Sequence, residues 1–286
     1  MRVGYIGLGN MGRPMASHLA PSGFETTVFD IDAEAVKAVV ETGARAASSP
    51  REVGEASEVV CICVQTDDQV RLVLDGDGSG ALHGMSPGGV VCVHSTVSPE
   101  TIDEMHGLAQ TRGCSVVDAA VTGGAEGAET KQLVVMAGGE DEVIERVRPV
   151  LEAASKLVIH AGPRGYGAKL KLVVNMFTYT HYAALHEAFA LAEAVGIDHE
   201  ALIAATRGNG QLSDAEMQFL FIARMAHDEA LPEAMATAMR RSLALAEKDL
   251  SHTLELARKS GVALPTAALV SQGMARIYRV DDSFKR

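Results

Sequence analysis

Arg2-Val-Gly-Tyr-Ile-Gly7-Leu-Gly9-Asn10-Met11-Gly12 is the stretch from which the fold can be read. Arg2–Ile6 is short and mainly apolar, as a strand buried on both faces should be. The helical pattern Met11–Ala20 follows at once. Between them Gly7, Gly9 and Gly12 are spaced G-x-G-x-x-G, and each glycine has a physical task. Gly7 allows a tight turn out of the strand. Gly9 lets a ligand approach the backbone. Gly12 lets helix and strand pack closely. The start of the helix offers free N–H groups and a favourable dipole to an anion. The spacing alone is weak evidence; its place between a strand and a helix gives it weight.

The same alternation continues outward. Thr26–Asp30, Val59–Val64, Gly89–Val93 and Ser115–Asp118 read as further strands, with Gln132–Ala137 and Lys156–Ile159 closing the set. Ala33–Thr42 and Pro99–Arg112 read as helices among them. Such a pattern predicts a Rossmann-type, doubly wound α/β domain. After the breaker-rich Gly162-Pro-Arg-Gly-Tyr-Gly167 the pattern becomes helical, first as one long helix from Tyr166 to Val195 ended by Gly196. Helical segments continue to about Tyr278, broken at Gly208, Gly210, Pro232, Gly261 and Pro265. The expected organisation is a dinucleotide-binding domain over residues 1–162. An all-α domain for substrate and oligomerisation follows over 163–286, joined by the long helix.

In this setting the glycine loop predicts a dinucleotide, with Gly7, Leu8, Gly9, Asn10, Met11 and Gly12 around its pyrophosphate. Asp30 ends the second strand, where a carboxylate would accept hydrogen bonds from the adenosine ribose. It would also repel a 2′-phosphate, and Ile31, Asp32 and Ala33 supply no cation. NAD is therefore expected over NADP. Val64 and Gln65, closing the strand Val59–Val64, are further cofactor candidates.

Composition narrows the partners. Lys plus Arg is 25 against 37 for Asp plus Glu, a net charge of −12. That balance argues against nucleic acid and anionic membrane and leaves room for a small carboxylate held by local positive groups. No apolar run approaches a membrane span of ~20 residues, and no signal peptide precedes the first strand. Cys61, Cys63 and Cys92 lie in strand-like runs, and they and Cys114 read as reduced thiols; Cys61-x-Cys63 has the wrong spacing for a zinc pair. A cytoplasmic protein without a metal is expected.

The long helix carries the chemistry. Lys171 and Asn175 stand four residues apart on one face, and Thr178 and Tyr182 continue the stripe. Leu172, Val173, Val174, Met176 and Phe177 are expected to pack around them. A lysine in apolar surroundings has its pKa lowered toward a working range for proton transfer. Hydride transfer to a carbonyl creates an alkoxide that needs a proton or positive charge nearby. Lys171 can supply either, and Asn175 can orient the oxygen. The plain alternative is a surface lysine whose stem covers apolar neighbours. Lys169 points to another face. Thr122, Gly123 and Gly124 follow a strand and can hold a carboxylate through N–H groups and a hydroxyl.

Read together, Ile6-Gly-Leu-Gly-Asn-Met-Gly-Arg-Pro-Met-Ala16, Ser95-Thr96-Val-Ser-Pro99, Asp118-Ala-Ala-Val-Thr-Gly-Gly124, Gly165-Tyr-Gly-Ala-Lys-Leu-Lys171-Leu-Val-Val-Asn175 and Lys248-Asp249 resemble, in this order, the motifs of the β-hydroxyacid dehydrogenase (3-hydroxyisobutyrate dehydrogenase) family. The resemblance spans nearly the whole chain. It implies reversible hydride transfer between NAD(H) and a small 3-hydroxyacid or its semialdehyde. It implies Lys171 and Asn175 as catalytic residues. Thr122, Gly123, Gly124 and Asp249 would lie at the substrate, and Thr96 and Lys248 at the cofactor. It also implies a homodimer or homotetramer. The sequence departs from the family at Ala120 and Thr122, where Pro and Ser are usual, and at Arg241, where Phe is usual. His94 before the Ser-Thr pair is unusual too, and reads as a packed strand-end residue. The alternatives are a reductase of another carbonyl or an imine on the same scaffold, or a cofactor-binding module without turnover. The presence of Lys171 argues against both.

Overall fold

The computed structural model describes residues 1–213, 216, 217, 219, 220 and 233–278. Two compact units divide the chain, Met1–Lys171 and Leu172–Arg286. The first holds a single sheet of β1 (Arg2–Ile6), β2 (Glu25–Phe29), β3 (Arg45–Ala46), β4 (Val59–Ile62), β5 (Val90–Val93), β6 (Ser115–Thr122), β7 (Leu133–Gly138) and β8 (Ser155–Gly162). Their spatial order is β3-β2-β1-β4-β5-β6-β7-β8. The first six form the doubly wound order, reversing direction between β1 and β4.

Side chains alternate through this sheet into two apolar clusters. Val3, Tyr5, Cys61 and Cys92 enter one, with residues of α1 (Gly12–Ser17), α2 (Ala33–Val40) and α7 (Asp141–Glu152). Ile6, Val60, Ile62, Val91 and Val93 enter the other, with α3 (Pro50–Ala56), α4 (Asp67–Leu74) and α5 (Pro99–Gln110). Both faces being covered explains the nearly continuous apolar strands. It also explains the thiols: Cys61, Cys92 and Cys114 are buried and free, and burial pushes the Cys63 thiol up to about 11.

Two local expectations change. The first helix stops at Ser17, because the following N–H groups of His18 and Leu19 bond three residues back, to Met15 and Ala16, and a 3₁₀ turn with Pro21 takes over. The strand expected to end at Asp118 runs on to Thr122. β7 then returns antiparallel beside it, with Asp118 opposite Gly138 and Thr122 opposite Val134. The short link through α6 (Gly124–Glu129) suits that return better than a crossover. β8 pairs parallel to β7 at the sheet edge.

From Tyr166 onward every described element is a helix. α8 (Tyr166–Ala194) reaches from the first unit into the second. It ends as expected at Gly196, whose φ is +73. Gly196 N–H donates to the Glu193 carbonyl and Ile197 N–H to that of Ala192, a Schellman closure. α9 (His199–Gly208), α10 (Glu233–Lys259) and α11 (Pro265–Tyr278) follow. The break expected at Pro232 lies outside the described residues. Met239, Ala246, Leu250, Val270 and Met274 form the second unit's main cluster with Tyr179 and Phe219.

Candidate active site

Strand register in the first unit lines up Ile6 with Phe29 and Ile62, Ile62 with Val93, and Val93 with Asp118. The residues just beyond this row form the carboxyl edge of the parallel strands, where open α/β sheets bind ligands. Gly7 to Gly12, Asp30, Val64, Gln65 and Thr96 all lie there. Gly7 has φ +92, and a Cβ on it would stand 2.4 Å from the Cys63 carbonyl oxygen. A Cβ on Gly12 would stand 1.9 Å from the Gly7 carbonyl oxygen. Both positions therefore require glycine. A Cβ on Gly9 would meet nothing within 4 Å, so that backbone faces open space.

Asp30 closes the loop from the next strand. Its Oδ2 accepts from Leu8 N–H at 2.5 Å and its Oδ1 from Asp32 N–H at 2.8 Å. A carboxylate has about four lone-pair positions, so each oxygen keeps capacity for a hydroxyl. Asp32 in turn caps α2 through Glu34 N–H and Ala35 N–H. Ser95 Oγ accepts from Val64 N–H at 2.9 Å, tying the ends of β4 and β5 together. These features fit a dinucleotide: an open glycine backbone, and a carboxylate with spare acceptors beside it.

Thr122 is the last residue of β6, and Gly123 and Gly124 turn with φ +127 and +67. Both glycines are exposed, and space around Gly124 is open. His94 is buried, stacks on Tyr5 at 6.0 Å between ring centroids and bonds the Ala119 carbonyl through Nδ1 at 2.7 Å. Burial lowers its pKa to about 4, so the ring is neutral and packed.

On α8, Lys171 is buried and Asn175 half-buried, one turn apart. Leu172 is fully buried, but Val173 and Phe177 are 51% and 69% exposed, contrary to the expected packing. Lys169 instead lies over the Tyr166 ring, 4.5 Å from its centroid. In the second unit Asn175 Nδ2 donates to Asp249 Oδ2 at 2.6 Å, and Tyr179 Oη donates to the same oxygen at 2.9 Å. Asp249 Oδ1 pairs with Lys248 Nζ at 3.0 Å, an ion contact outside hydrogen-bond angles. Burial, with the Asp249 charge beside it, holds Tyr179 protonated by raising its pKa. Tyr179 was not singled out in the sequence, although it stands four residues after Asn175. Of the residues that were, Thr178 back-bonds the Val174 carbonyl and Tyr182 stacks on Phe219. Arg241 is exposed. Among the described residues no cluster of His, Cys, Asp or Glu could hold a metal ion, and no helix is long and apolar enough to cross a membrane.

One residue of the candidate motifs is placed differently. Asp118 is buried within β6, where its two oxygens accept from Gly165 N–H and Ala168 N–H at the start of α8. Burial pushes its carboxyl pKa up, and these backbone donors oppose the shift.

The family model for the NAD-binding domain of 6-phosphogluconate dehydrogenase matches residues 2–162. That for the NAD-binding of NADP-dependent 3-hydroxyisobutyrate dehydrogenase matches residues 165–283. An uncharacterised oxidoreductase of Mycobacterium tuberculosis is 38% identical over 96% of this chain and 92% of its own. The 2-(hydroxymethyl)glutarate dehydrogenase of Eubacterium barkeri is 34% identical over 95% and 87%. The solved structure of Mycobacterium tuberculosis 3-hydroxyisobutyrate dehydrogenase with L-serine superposes with a TM-score of 0.78, at 28% identity, over 98% of this chain and 94% of that one.

Proposed function

The chain belongs to the β-hydroxyacid dehydrogenase family and is an NAD(P)-dependent oxidoreductase of CH–OH groups; from that premise we propose that it oxidises a small 3-hydroxyacid to its semialdehyde, reversibly, with Lys171 as general acid/base. The observation that carries the proposal is the buried Lys171 one turn before Asn175, whose amide is fixed by the buried carboxylate of Asp249.

NAD, when bound, accepts or supplies the hydride. In the oxidation direction Lys171 takes the hydroxyl proton as the carbonyl forms. In reduction its ammonium gives that proton to the nascent alkoxide. Asn175, oriented through Asp249 and Tyr179, steadies the same oxygen. Thr122, Gly123 and Gly124 hold the substrate carboxylate through their hydroxyl and N–H groups. Gly7 to Gly12 cradle the pyrophosphate, Asp30 takes the ribose, and Val64, Gln65 and Thr96 border the cofactor. Residues 1–162 serve the dinucleotide; residues 163–286 serve substrate and self-association.

The test is NADH formation with 3-hydroxyisobutyrate, L-serine, 2-(hydroxymethyl)glutarate, glycerate, threonate and 4-hydroxybutyrate. Turnover of at least one acid bearing its hydroxyl on C3 is expected. Silence on all of these, with reduction of a cyclic imine instead, would replace the reading by an imine reductase.

A further inference from the structure

α8 begins without a capping side chain of its own. Gly162-Pro-Arg-Gly165 precedes it, with no Ser, Thr, Asp or Asn to accept its first N–H groups. Asp118 fills that role from 47 positions away, on β6, an interior strand of the sheet. Its Oδ1 accepts from Gly165 N–H and its Oδ2 from Ala168 N–H, both at 2.7 Å. Accepting N–H bonds on both oxygens favours the ionised carboxylate. It stands where the helix dipole favours negative charge.

The surroundings are shaped for this carboxylate. A Cβ on Gly138, the partner of Asp118 on β7, would lie 2.7 Å from each of its oxygens. A Cβ on Gly167 would lie 2.8 Å from Oδ2 and 2.3 Å from the Met136 carbonyl oxygen. Neither glycine has a positive φ, so close approach alone accounts for them. The first turn of α8 is thus held to β6 and β7 by one buried charge. Lys171 is the next residue up that helix face, four after Gly167 and three after Ala168.

We propose that Asp118 is a positioning residue, whose buried carboxylate sets the height and rotation of α8 and thereby the place of the Lys171 ammonium. The inference rests on the role given to Lys171 above. Freed of Asp118, the N–H groups of Gly165 and Ala168 lose their acceptor, and the helix start frays. A misplacement of about 1 Å in a reacting group can cost ~10²-fold in rate.

Asp118→Asn keeps the size of the side chain, removes its charge and turns an N–H₂ toward a backbone donor. Gly138→Ala presses on the same carboxylate from the opposite strand. Both variants are compared with wild type by NADH formation from whichever acid of the panel above the wild type turns over fastest. We expect kcat to fall at least tenfold in both, with the NADH Kd from fluorescence titration within twofold. Amide exchange at residues 165–170 should speed up at least tenfold while β1, β4 and β5 stay protected. Asp103→Asn is the control. It breaks an exposed ion pair to Arg164 beside the same helix start and should leave kcat within twofold. A lower melting temperature with unchanged kcat would make Asp118 merely structural and overturn the proposal. Loss of the fold in both variants, seen by circular dichroism, would overturn it too. If the wild type oxidises no acid of that panel, the assigned reaction fails on its own, and unchanged exchange at residues 165–170 would still sink the anchor.

Discussion

Lys171 and Lys169 stand two residues apart on one helix and meet different surroundings. Lys171 is buried, whereas Lys169 lies against the Tyr166 ring. If Lys171 moves the proton, Lys171→Ala should lower kcat and kcat/KM together by ~10²–10⁴-fold. NADH binding should stay nearly intact. Lys171→Arg should not restore the rate, since a guanidinium does not release a proton near neutral pH. Lys169→Ala should cost less than about threefold, as loss of one exposed cation–π contact would. Steady-state kinetics of the three variants decide this, and a dead Lys169 variant beside an active Lys171 variant would reverse the assignment. Asp30 carries a second expectation. A carboxylate already bound to Leu8 N–H would repel a 2′-phosphate, so kcat/KM should be higher with NAD than with NADP. An NADP preference would remove Asp30 from the ribose. These residues were legible because each announces itself within a turn or so of sequence: glycines at fixed spacing, an acid at a strand end, a lysine four before an asparagine. Asp118 was legible only as part of a motif. Its partners are Gly165 and Ala168, and nothing local shows that a strand residue caps a distant helix.

At the scale of elements, the strands were found because apolar runs buried on both faces are conspicuous. α3 and α4 were passed over because they are short amphipathic stretches between stronger signals, and α7 carries a helix breaker, Pro149, inside it. The antiparallel turn of β7 was equally hidden, since side-chain pattern carries no strand direction. α8 was legible to within a residue at its end, and its exposed side carries the next expectation. Tyr179, Leu185, Phe189 and Ala192 are buried on one side of it. Val173, Phe177, Ala184, Ala188, Leu191 and Val195 are exposed, spaced by three, four or seven along one helical stripe. An apolar stripe of this length suits a second copy of the chain. The protein should therefore sediment as a dimer or tetramer at micromolar concentration. Leu191→Glu should shift it toward a 30.1 kDa species without changing the melting of the sheet. A wild type already at 30.1 kDa at micromolar concentration would refute the association.

For the whole molecule, acid stability follows from how the first unit buries its polar groups. His94 lies among Tyr5, the sheet and the Ala119 carbonyl, and desolvation lowers its pKa from 6.5 to about 4. The unfolded chain thus takes up this proton near pH 6.5, and the folded chain only near pH 4. Below 6.5 the unfolded state binds more protons, so stability falls as pH falls. It is fully present above 6.5 and is lost progressively down to about 4, where both states are protonated and the contribution levels off. Two to three pKa units correspond to on the order of 3 kcal/mol, a large part of an ordinary domain's margin. His94→Asn sets an amide N–H₂ at the Nδ1 position, keeps a donor for Ala119 and removes the proton linkage. Urea unfolding at pH 7.5, 6, 5 and 4.5 should show a steeper loss for wild type than for this variant, by close to one proton per molecule. Amide exchange in β1, β4 and β5 reads the first unit by itself, so a separate transition of the second unit would not enter the comparison. Parallel pH curves for the two proteins would mean that His94 is protonated as readily inside the fold as outside it. The neutral imidazole between Tyr5 and Ala119 would then be wrong.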